Sequence, residues 1–194
     1  MAKVAIVTDT THYLPADLVA ANEIHQVSLY VHWQDRDDRE IDLPDFDGYY
    51  EHLRTAPDLP TTSQPSVGDF LAVYEPLLEA GQDIVSLHLS AGISGTYDSA
   101  LAAKASVDEQ GREGRIEVVD SATACGGLGL VALAAAAGSR AGEDIETVVR
   151  RARAAREELN LWFCIDTLEF LRRGGRIGAA SAWLGTTLKI KPIL

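Results

Sequence analysis

The stretch Ile84-Val85-Ser86-Leu87-His88-Leu89 is nearly continuous in apolar residues and indicates the fold. It predicts a strand without a polar face, which is expected where helices cover both faces of a sheet. Longer helical segments alternate with this strand and four others. The other predicted strands are Lys3–Val7, Val27–Trp33, Ile116–Val119 and Leu161–Ile165, and the predicted helices are 15–22, 45–55, 67–80, 95–110, 126–140 and 144–159. The alternation predicts an α/β fold with a mainly parallel sheet and helices on both of its faces.

Two local patterns refine this prediction. Ser66 is followed three residues later by Asp69, which predicts a capping box at the start of the helix at 67–80. The segment Asp35–Asp42 is densely charged, and we expect it to form an exposed turn after the second strand.

The composition is that of a packed globular chain with an acidic surface. Of 194 residues, 46% are hydrophobic and 24% are charged. The net charge of −12 would repel a phosphate backbone, so we expect no nucleic-acid partner. Residues 1–138 hold seven basic and 22 acidic side chains, whereas residues 139–194 hold ten basic and seven acidic side chains. An anionic partner should therefore prefer the C-terminal side.

Membrane, secretion and cofactor signals are missing from the sequence. The longest nearly uncharged run, 121–139, is rich in Gly, Ala and Ser and lacks the roughly twenty strongly apolar residues that span a bilayer. The apolar run before Thr8 is too short for a secretory signal, so we expect a cytoplasmic protein without stable membrane insertion. Cys125 and Cys164 lie far apart, without histidines at metal-ligand spacing. We expect neither metal, disulfide nor cofactor, and both cysteines in the core.

Four apolar runs give way to small residues that carry hydroxyl groups. These transitions occur within Val7–Thr11, Thr61–Ser66, Leu89–Thr96 and Val119–Thr123. Ligands of open parallel sheets bind beyond the carboxyl ends of the strands. Three of the four transitions directly follow predicted strands, so we expect those three to share one edge of the sheet.

The transition at Leu89–Thr96 is the most informative. Gly92 and Gly95 allow the backbone to approach a ligand, while Ser94 and Thr96 stand where the next helix begins. Helix N-termini favour anions, and neutral donors without a nearby cation suit a carboxylate. The alternative is that Ser94 or Thr96 is only an N-cap and that the Thr/Ser runs are only turns.

Other sites receive weaker support. Many serine hydrolases carry their nucleophile in a Gly-x-Ser-x-Gly turn. The stretch 92–95 differs from this motif because its second glycine comes one residue early, which disfavours a serine hydrolase, although His12 or His88 could lie nearby. Asp9, His12 and Asp120 could gather around a metal, but acids at strand ends are more often loop caps. Arg176 follows Gly174-Gly175, and it could face an anion or cap the preceding helix.

Five motifs in register give the chain a family resemblance. They are Thr62-Ser63-Gln64-Pro65-Ser66, Ile93-Ser94-Gly95-Thr96-Tyr97-x-Ser99-Ala100, Asp120-Ser121, Leu171-x-x-Gly174-Gly175-Arg176-Ile177 through Leu184-Gly185, and Ile190-Lys191-Pro192-Ile193-Leu194. In order and spacing they resemble the DegV family of bacterial fatty-acid-binding proteins.

The resemblance implies a lipid-binding carrier without catalytic residues. Its members are two-domain proteins that enclose one long-chain fatty acid and present the carboxylate to a separate fatty acid kinase, which forms an acyl phosphate for phospholipid synthesis. By analogy, Thr62 and Ser94, with Ser63 and Gly95 of the same motifs, would bind the carboxylate. Arg176 and Arg173 would lie near the head group or the partner. Residues 1–158 would form the first domain and residues 159–194 the start of a second.

The chain departs from the resemblance in its length. Family members are longer, and this sequence stops in the apolar run Leu188–Leu194, so we expect a fragment of a longer polypeptide.

The alternative function is a kinase- or phosphotransferase-like enzyme acting on a small phosphorylated or hydroxylated substrate. Such an enzyme needs a base, a covalent histidine or metal-binding acids, and no such cluster stands out. The motifs carry no information on acyl length or oligomeric state.

Overall fold

The computed structural model describes residues 3–33, 36–43, 46–56, 58–111 and 114–178. Seven strands and seven α-helices alternate within this part of the chain. The strands are β1 (Val4–Asp9), β2 (Ile24–Val27), β3 (Tyr30–Trp33), β4 (Arg36–Arg39), β5 (Thr61–Ser63), β6 (Asp83–His88) and β7 (Ile116–Asp120). The helices are α1 (Ala16–Ala21), α2 (Phe46–Thr55), α3 (Val67–Glu79), α4 (Thr96–Glu109), α5 (Gly126–Arg140), α6 (Ile145–Glu158) and α7 (Glu169–Arg173), with 3-10 turns at Thr10–His12 and Glu40–Asp42.

The main sheet has four parallel strands in the order β2-β1-β6-β7. In register, Ile6 lies opposite Ile24 on one side and Val85 on the other. The capping box at the start of α3 is present, because Ser66 and Asp69 each accept the other's backbone N–H. The predicted parallel α/β sheet is therefore confirmed, and so is this helix start.

Helices cover both faces of the main sheet. Val4 and Ile6 of β1 pack with buried residues of α5 and α6, whereas Ala5 and Val7 pack with buried residues of α3 and α4. Successive residues of a strand point to opposite faces, so this division follows directly from the strand geometry. The apolar stretch at 84–89 is continuous because each face of β6 lies in one of these two cores.

A second, antiparallel sheet has the order β4-β3-β5 and corrects two predictions. The predicted strand Val27–Trp33 is two strands, because the chain leaves the main sheet at Ser28 and Leu29. The Leu29 carbonyl accepts the Glu40 N–H at 2.8 Å, and the Ser28 hydroxyl accepts the Ile41 N–H at 3.1 Å. Most of the predicted turn Asp35–Asp42 is instead β4 followed by a 3-10 turn.

Internal contacts divide the chain into two compact units, Met1–Leu159 and Asn160–Leu194. The first unit contains both sheets. In the second, the predicted strand Leu161–Ile165 is wrong, because the structure has only an isolated bridge residue at Cys164. The family motif positions at 184–185 and 190–194 lie outside the described residues.

The expectation that both cysteines lie in the core is wrong. Cys125 and Cys164 are exposed, free thiols. Cys125 immediately precedes α5 as its N-cap residue, with a backbone φ of 52°. None of the helices described is long and apolar enough to cross a membrane.

Candidate functional site

Three of the hydroxyl-rich transitions share one edge of the main sheet, as predicted. β1, β6 and β7 are adjacent and parallel, and they end at Asp9, His88 and Asp120. The segments that follow these ends therefore emerge on the same side. The Thr61–Ser66 transition is different, because Thr61–Ser63 forms β5 in the antiparallel sheet, paired with β3.

The loop after β5 meets the loop before α4 at Gly95. A Cβ atom added to Gly95 would lie 3.2 Å from both Cδ and Nε2 of Gln64. Only a residue without a side chain lets the Gln64 amide approach the backbone this closely without displacement. This contact joins the segment that carries Thr62 and Ser63 to the segment that carries Ser94.

The surroundings of Ser94 leave its hydroxyl group able to serve a ligand. The Ser94 Oγ lies 2.9 Å from the Thr96 Oγ1 and accepts the Thr96 backbone N–H at 3.3 Å. Thr96 is fully buried, whereas Ser94 is half-buried. The N-cap residue of α4 is Gly95, without a side-chain cap. Neither Ser94 nor Thr96 is therefore the N-cap residue, although the Ser94 hydroxyl group accepts the first backbone N–H of α4.

Thr62 and Ser63 differ in their surroundings. Thr62 is exposed and pairs with Val31 in the sheet register. The Ser63 Oγ lies 2.7 Å from the His32 Nε2, and the His32 Nδ1 lies 2.6 Å from an Asp37 carboxylate oxygen. The sequence analysis missed His32, although its position two residues into β3 places it opposite the start of β5.

A buried carboxylate fixes the start of the Ser94 loop. One Asp9 oxygen accepts the Leu89 backbone N–H at 2.9 Å and lies 3.1 Å from the His88 Nδ1. The other oxygen accepts the backbone N–H and the hydroxyl group of Thr11, at 3.1 and 2.6 Å. Burial alone would raise the pKa of the Asp9 carboxyl, but the hydrogen bonds from His88, Thr11 and Leu89 outweigh it and lower that pKa.

The same network contains an Asp-His-Ser series without access to substrate. The His88 Nε2 lies 2.7 Å from the Ser86 Oγ, which also accepts the Tyr74 hydroxyl at 2.7 Å. Asp9, His88, Ser86 and Tyr74 are all fully buried. A nucleophile must reach its substrate, so this series stabilises the core between β1, β6 and α3 and supplies no hydrolase site.

Comparison with known proteins gives the site a family context. Residues 3–194 match the family model described as "Uncharacterised protein, DegV family". The chain is 37% identical over 194 residues to Protein DegV of Bacillus subtilis, covering 98% of this chain and 67% of that one. The chain belongs to the DegV family. It spans about two thirds of the length of the curated relatives it matches.

Two solved DegV structures are similar over nearly the whole chain. A DegV family protein from Thermus thermophilus, whose structure is described as showing fatty acid binding, is 38% identical with a TM-score of 0.90. The similar region covers 99% of this chain and 67% of the Thermus thermophilus chain. Bacillus subtilis DegV, described as a fatty acid binding protein, is 38% identical with a TM-score of 0.86. The similar region covers 100% of this chain and 68% of the Bacillus subtilis chain.

The strand-end acids of this DegV chain hold loops in place. One Asp120 oxygen accepts the backbone N–H groups of Ala91 and Ala122, at 3.2 and 2.7 Å. His12 instead contacts Gln26 at 2.7 Å, through its Nε2. Within the described part of the chain, no three His, Cys, Asp or Glu side chains are grouped so that they could hold a metal ion.

Arg173 and Arg176 lie in the second unit, and both are exposed. The Arg173 guanidinium lies 3.5 Å from the Glu169 carboxylate, one helical turn earlier in α7. The Arg176 guanidinium donates to the Gly174 carbonyl at 2.6 Å, at the C-terminal end of the same helix. This bond supports the helix-capping alternative for Arg176, while the roles of both arginines toward a head group or partner stay predictions.

Proposed function

We propose that this DegV protein binds a long-chain fatty acid and holds its carboxylate with the hydroxyl groups of Thr62 and Ser94. The observation that carries the proposal is the contact between Gln64 and Gly95, which joins the two hydroxyl-bearing segments. The fatty acid binding described for the Thermus thermophilus and Bacillus subtilis relatives supports the same ligand.

The chemistry of the two segments suits a carboxylate. Thr62 and Ser94 offer neutral hydroxyl donors, and a hydrogen bond to a charged group contributes about 1.5–3 kcal/mol. The acyl chain contributes more, because about 0.8 kcal/mol per buried methylene gives on the order of 11 kcal/mol for about fourteen methylenes, before entropy costs. The acyl chain should therefore set the affinity, and the hydroxyl groups should set the orientation.

Ser63 and Gly95 support these donors in different ways. Ser63 contacts His32, so it fixes the end of β5 beside Thr62. Gly95 lets the Gln64 amide lie against the backbone next to Ser94. Residues 1–158 would then form the domain that carries the carboxylate site, and residues 159–194 would begin a second, lipid-enclosing domain.

The cellular role that we propose is that of a cytoplasmic carrier rather than an enzyme. The carrier would present the carboxylate to a fatty acid kinase, and the acyl phosphate would enter phospholipid synthesis. Arg173 and Arg176 are exposed cations in the net-basic part of an acidic chain, which suits a contact with the kinase or the head group. The kinase- or phosphotransferase-like alternative would have to use His32 as its base, which contacts the Ser63 hydroxyl group at 2.7 Å and an Asp37 carboxylate oxygen at 2.6 Å.

Native mass spectrometry of protein purified from a bacterial host tests the proposal. We expect one fatty acid per chain, released by organic extraction. Delipidated protein should take up palmitate or oleate with the same stoichiometry. Folded, monodisperse protein that stays lipid-free after this incubation would contradict the proposal, and a bound phosphate or sugar phosphate would favour the enzyme alternative.

A further inference from the structure

A cavity lies in the first unit, at the ends of β1 and β2. Its volume is about 550 Å³. Leu14, Val19, Ile41 and Leu43 form an apolar wall. Thr62, Ser63, Ser94 and Gly95 of the proposed fatty-acid site are not among the residues that line it. A mainly apolar cavity of this size, with a few convergent polar groups, has the usual properties of a small-molecule site.

One carboxylate provides the charge of this cavity. Glu40 lines the wall and accepts hydrogen bonds from the Thr10 hydroxyl and, at 2.7 Å, from the Tyr13 hydroxyl. Burial lowers the pKa of the His12 imidazole in the wall. Among the lining residues described, Glu40 is the only Asp or Glu, and none is Lys or Arg.

Two tyrosine side chains line the cavity together with Glu40. Tyr13 and Tyr50 are about half exposed, at 50% and 52%. Tyr13 adopts a left-handed backbone conformation with φ 48°, which bulky residues rarely do, and its hydroxyl group donates to Glu40. Aromatic faces beside a fixed carboxylate attract organic cations.

We propose that this cavity binds a small organic ammonium ion with an apolar body, with Glu40 as its counter-ion. The two hydroxyl donors fix the Glu40 carboxylate, while the four aliphatic side chains accommodate the apolar body. An anion such as a fatty-acid carboxylate would be repelled by Glu40 and by the acidic segment around it, since residues 1–138 hold 22 acidic and seven basic side chains. The inference stands independently of the proposed fatty-acid site.

Three probes of equal chain length separate the possible occupants. Hexylammonium, 1-hexanol and hexanoate each contain six carbons and carry a cationic, a neutral and an anionic head group, respectively. We expect isothermal titration calorimetry to show hexylammonium binding at least about tenfold more tightly than 1-hexanol, because only the cation pairs with Glu40. Chemical-shift changes should centre on the methyl groups of Leu14, Val19, Ile41 and Leu43.

Variants locate the site and separate it from the fatty-acid site. Glu40→Gln should abolish the preference for the cation, whereas the control Glu109→Gln on the exposed side of α4 should retain it. Ser94→Ala should leave hexylammonium affinity unchanged. If Glu40→Gln does not fold, the three probes on the unchanged protein still decide the question. Equal binding of the three probes, tighter hexanoate binding, or chemical-shift changes elsewhere would overturn the proposal.

Discussion

Replacing Ser94 with alanine is the most direct perturbation of the proposed carboxylate site. The Ser94 oxygen lies within hydrogen-bond distance of the Thr96 hydroxyl, at 2.9 Å, and of the Thr96 N–H, at 3.3 Å. A hydroxyl oxygen has two lone pairs and one proton. Both Thr96 groups can donate to the lone pairs, so the Ser94 proton stays available for a carboxylate oxygen.

The expected loss of affinity follows from this single donor. A hydrogen bond to a charged group contributes about 1.5–3 kcal/mol, which corresponds to a loss of about 10- to 150-fold for Ser94→Ala. Thr96→Val is the matched control, because it removes the neighbouring, fully buried hydroxyl group and leaves the Ser94 donor in place. We expect this control to lower the melting temperature but to change the affinity by less than about threefold.

Displacement of a fluorescent fatty acid, combined with thermal unfolding, distinguishes the two variants. The reasoning requires Ser94→Ala to lose affinity while most of its stability remains. If Ser94→Ala instead loses stability and keeps the affinity of the unchanged protein, Ser94 is only a structural residue of the α4 start. A large affinity loss in Thr96→Val would show that the two hydroxyl groups act as one unit.

Three further changes and one pH profile test the other contacts. Gly95→Ala should weaken fatty-acid binding less than Ser94→Ala does, because only the neighbouring Gln64 amide must move. The melting temperature should stay unchanged, since alanine readily adopts the Gly95 φ of −76°. Tyr74→Phe should cost about 1 kcal/mol of unfolding free energy in urea, since it removes a buried hydrogen bond. The pKa of the Asp9 carboxyl is lowered, so its contribution to stability is present above about pH 4 and is lost as the pH falls through the folded-state pKa. Urea unfolding from pH 6 to pH 2.5 should show this loss of stability. Asp9→Asn should make the unfolding free energy depend less on pH over this range. Arg173→Glu should retain fatty-acid binding and slow phosphorylation by the kinase in a coupled assay, whereas Arg150→Glu in α6 should affect neither.

The main sheet could be predicted because its signals are local. An uninterrupted apolar run such as 84–89 reports burial on both faces, and the helix at 67–80 carries its own capping box at Ser66 and Asp69. The predicted helices at 67–80 and 126–140 correspond to Val67–Glu79 and Gly126–Arg140. The shared edge of three transitions followed from parallel strands alone, without knowledge of any side-chain contact.

The antiparallel sheet could not be predicted in the same way. β5 is three residues long, too short to show a period of two, and its pairing with Tyr30–His32 spans about thirty residues of sequence. β4 has the sequence Arg-Asp-Asp-Arg, whose charges suggest a turn. Its strand conformation depends on pairing with β3, which is a long-range contact.

The candidate site shows the same division between local and long-range information. Ser94 and Gly95 stood out because small residues precede a helix, and Thr62 entered through the family resemblance. The Gln64 contact at Gly95 and the His32 contact at Ser63 join segments about thirty residues apart. Residue types alone do not specify such contacts, because they depend on how distant strands and loops are brought together.

The acids at the strand ends explain how a loop of small residues can offer its donors in fixed positions. Asp9 accepts the Leu89 N–H and Asp120 accepts the Ala91 N–H, so two carboxylates hold the beginning of the loop that leads to Ser94. Each of these oxygens is already occupied by backbone donors, which explains why these acids act as structural acceptors. A ligand that meets donors held in this way loses little additional conformational entropy on binding. The acidic residues of the edge would therefore support the proposed anion site through its geometry, although their charge opposes the anion itself.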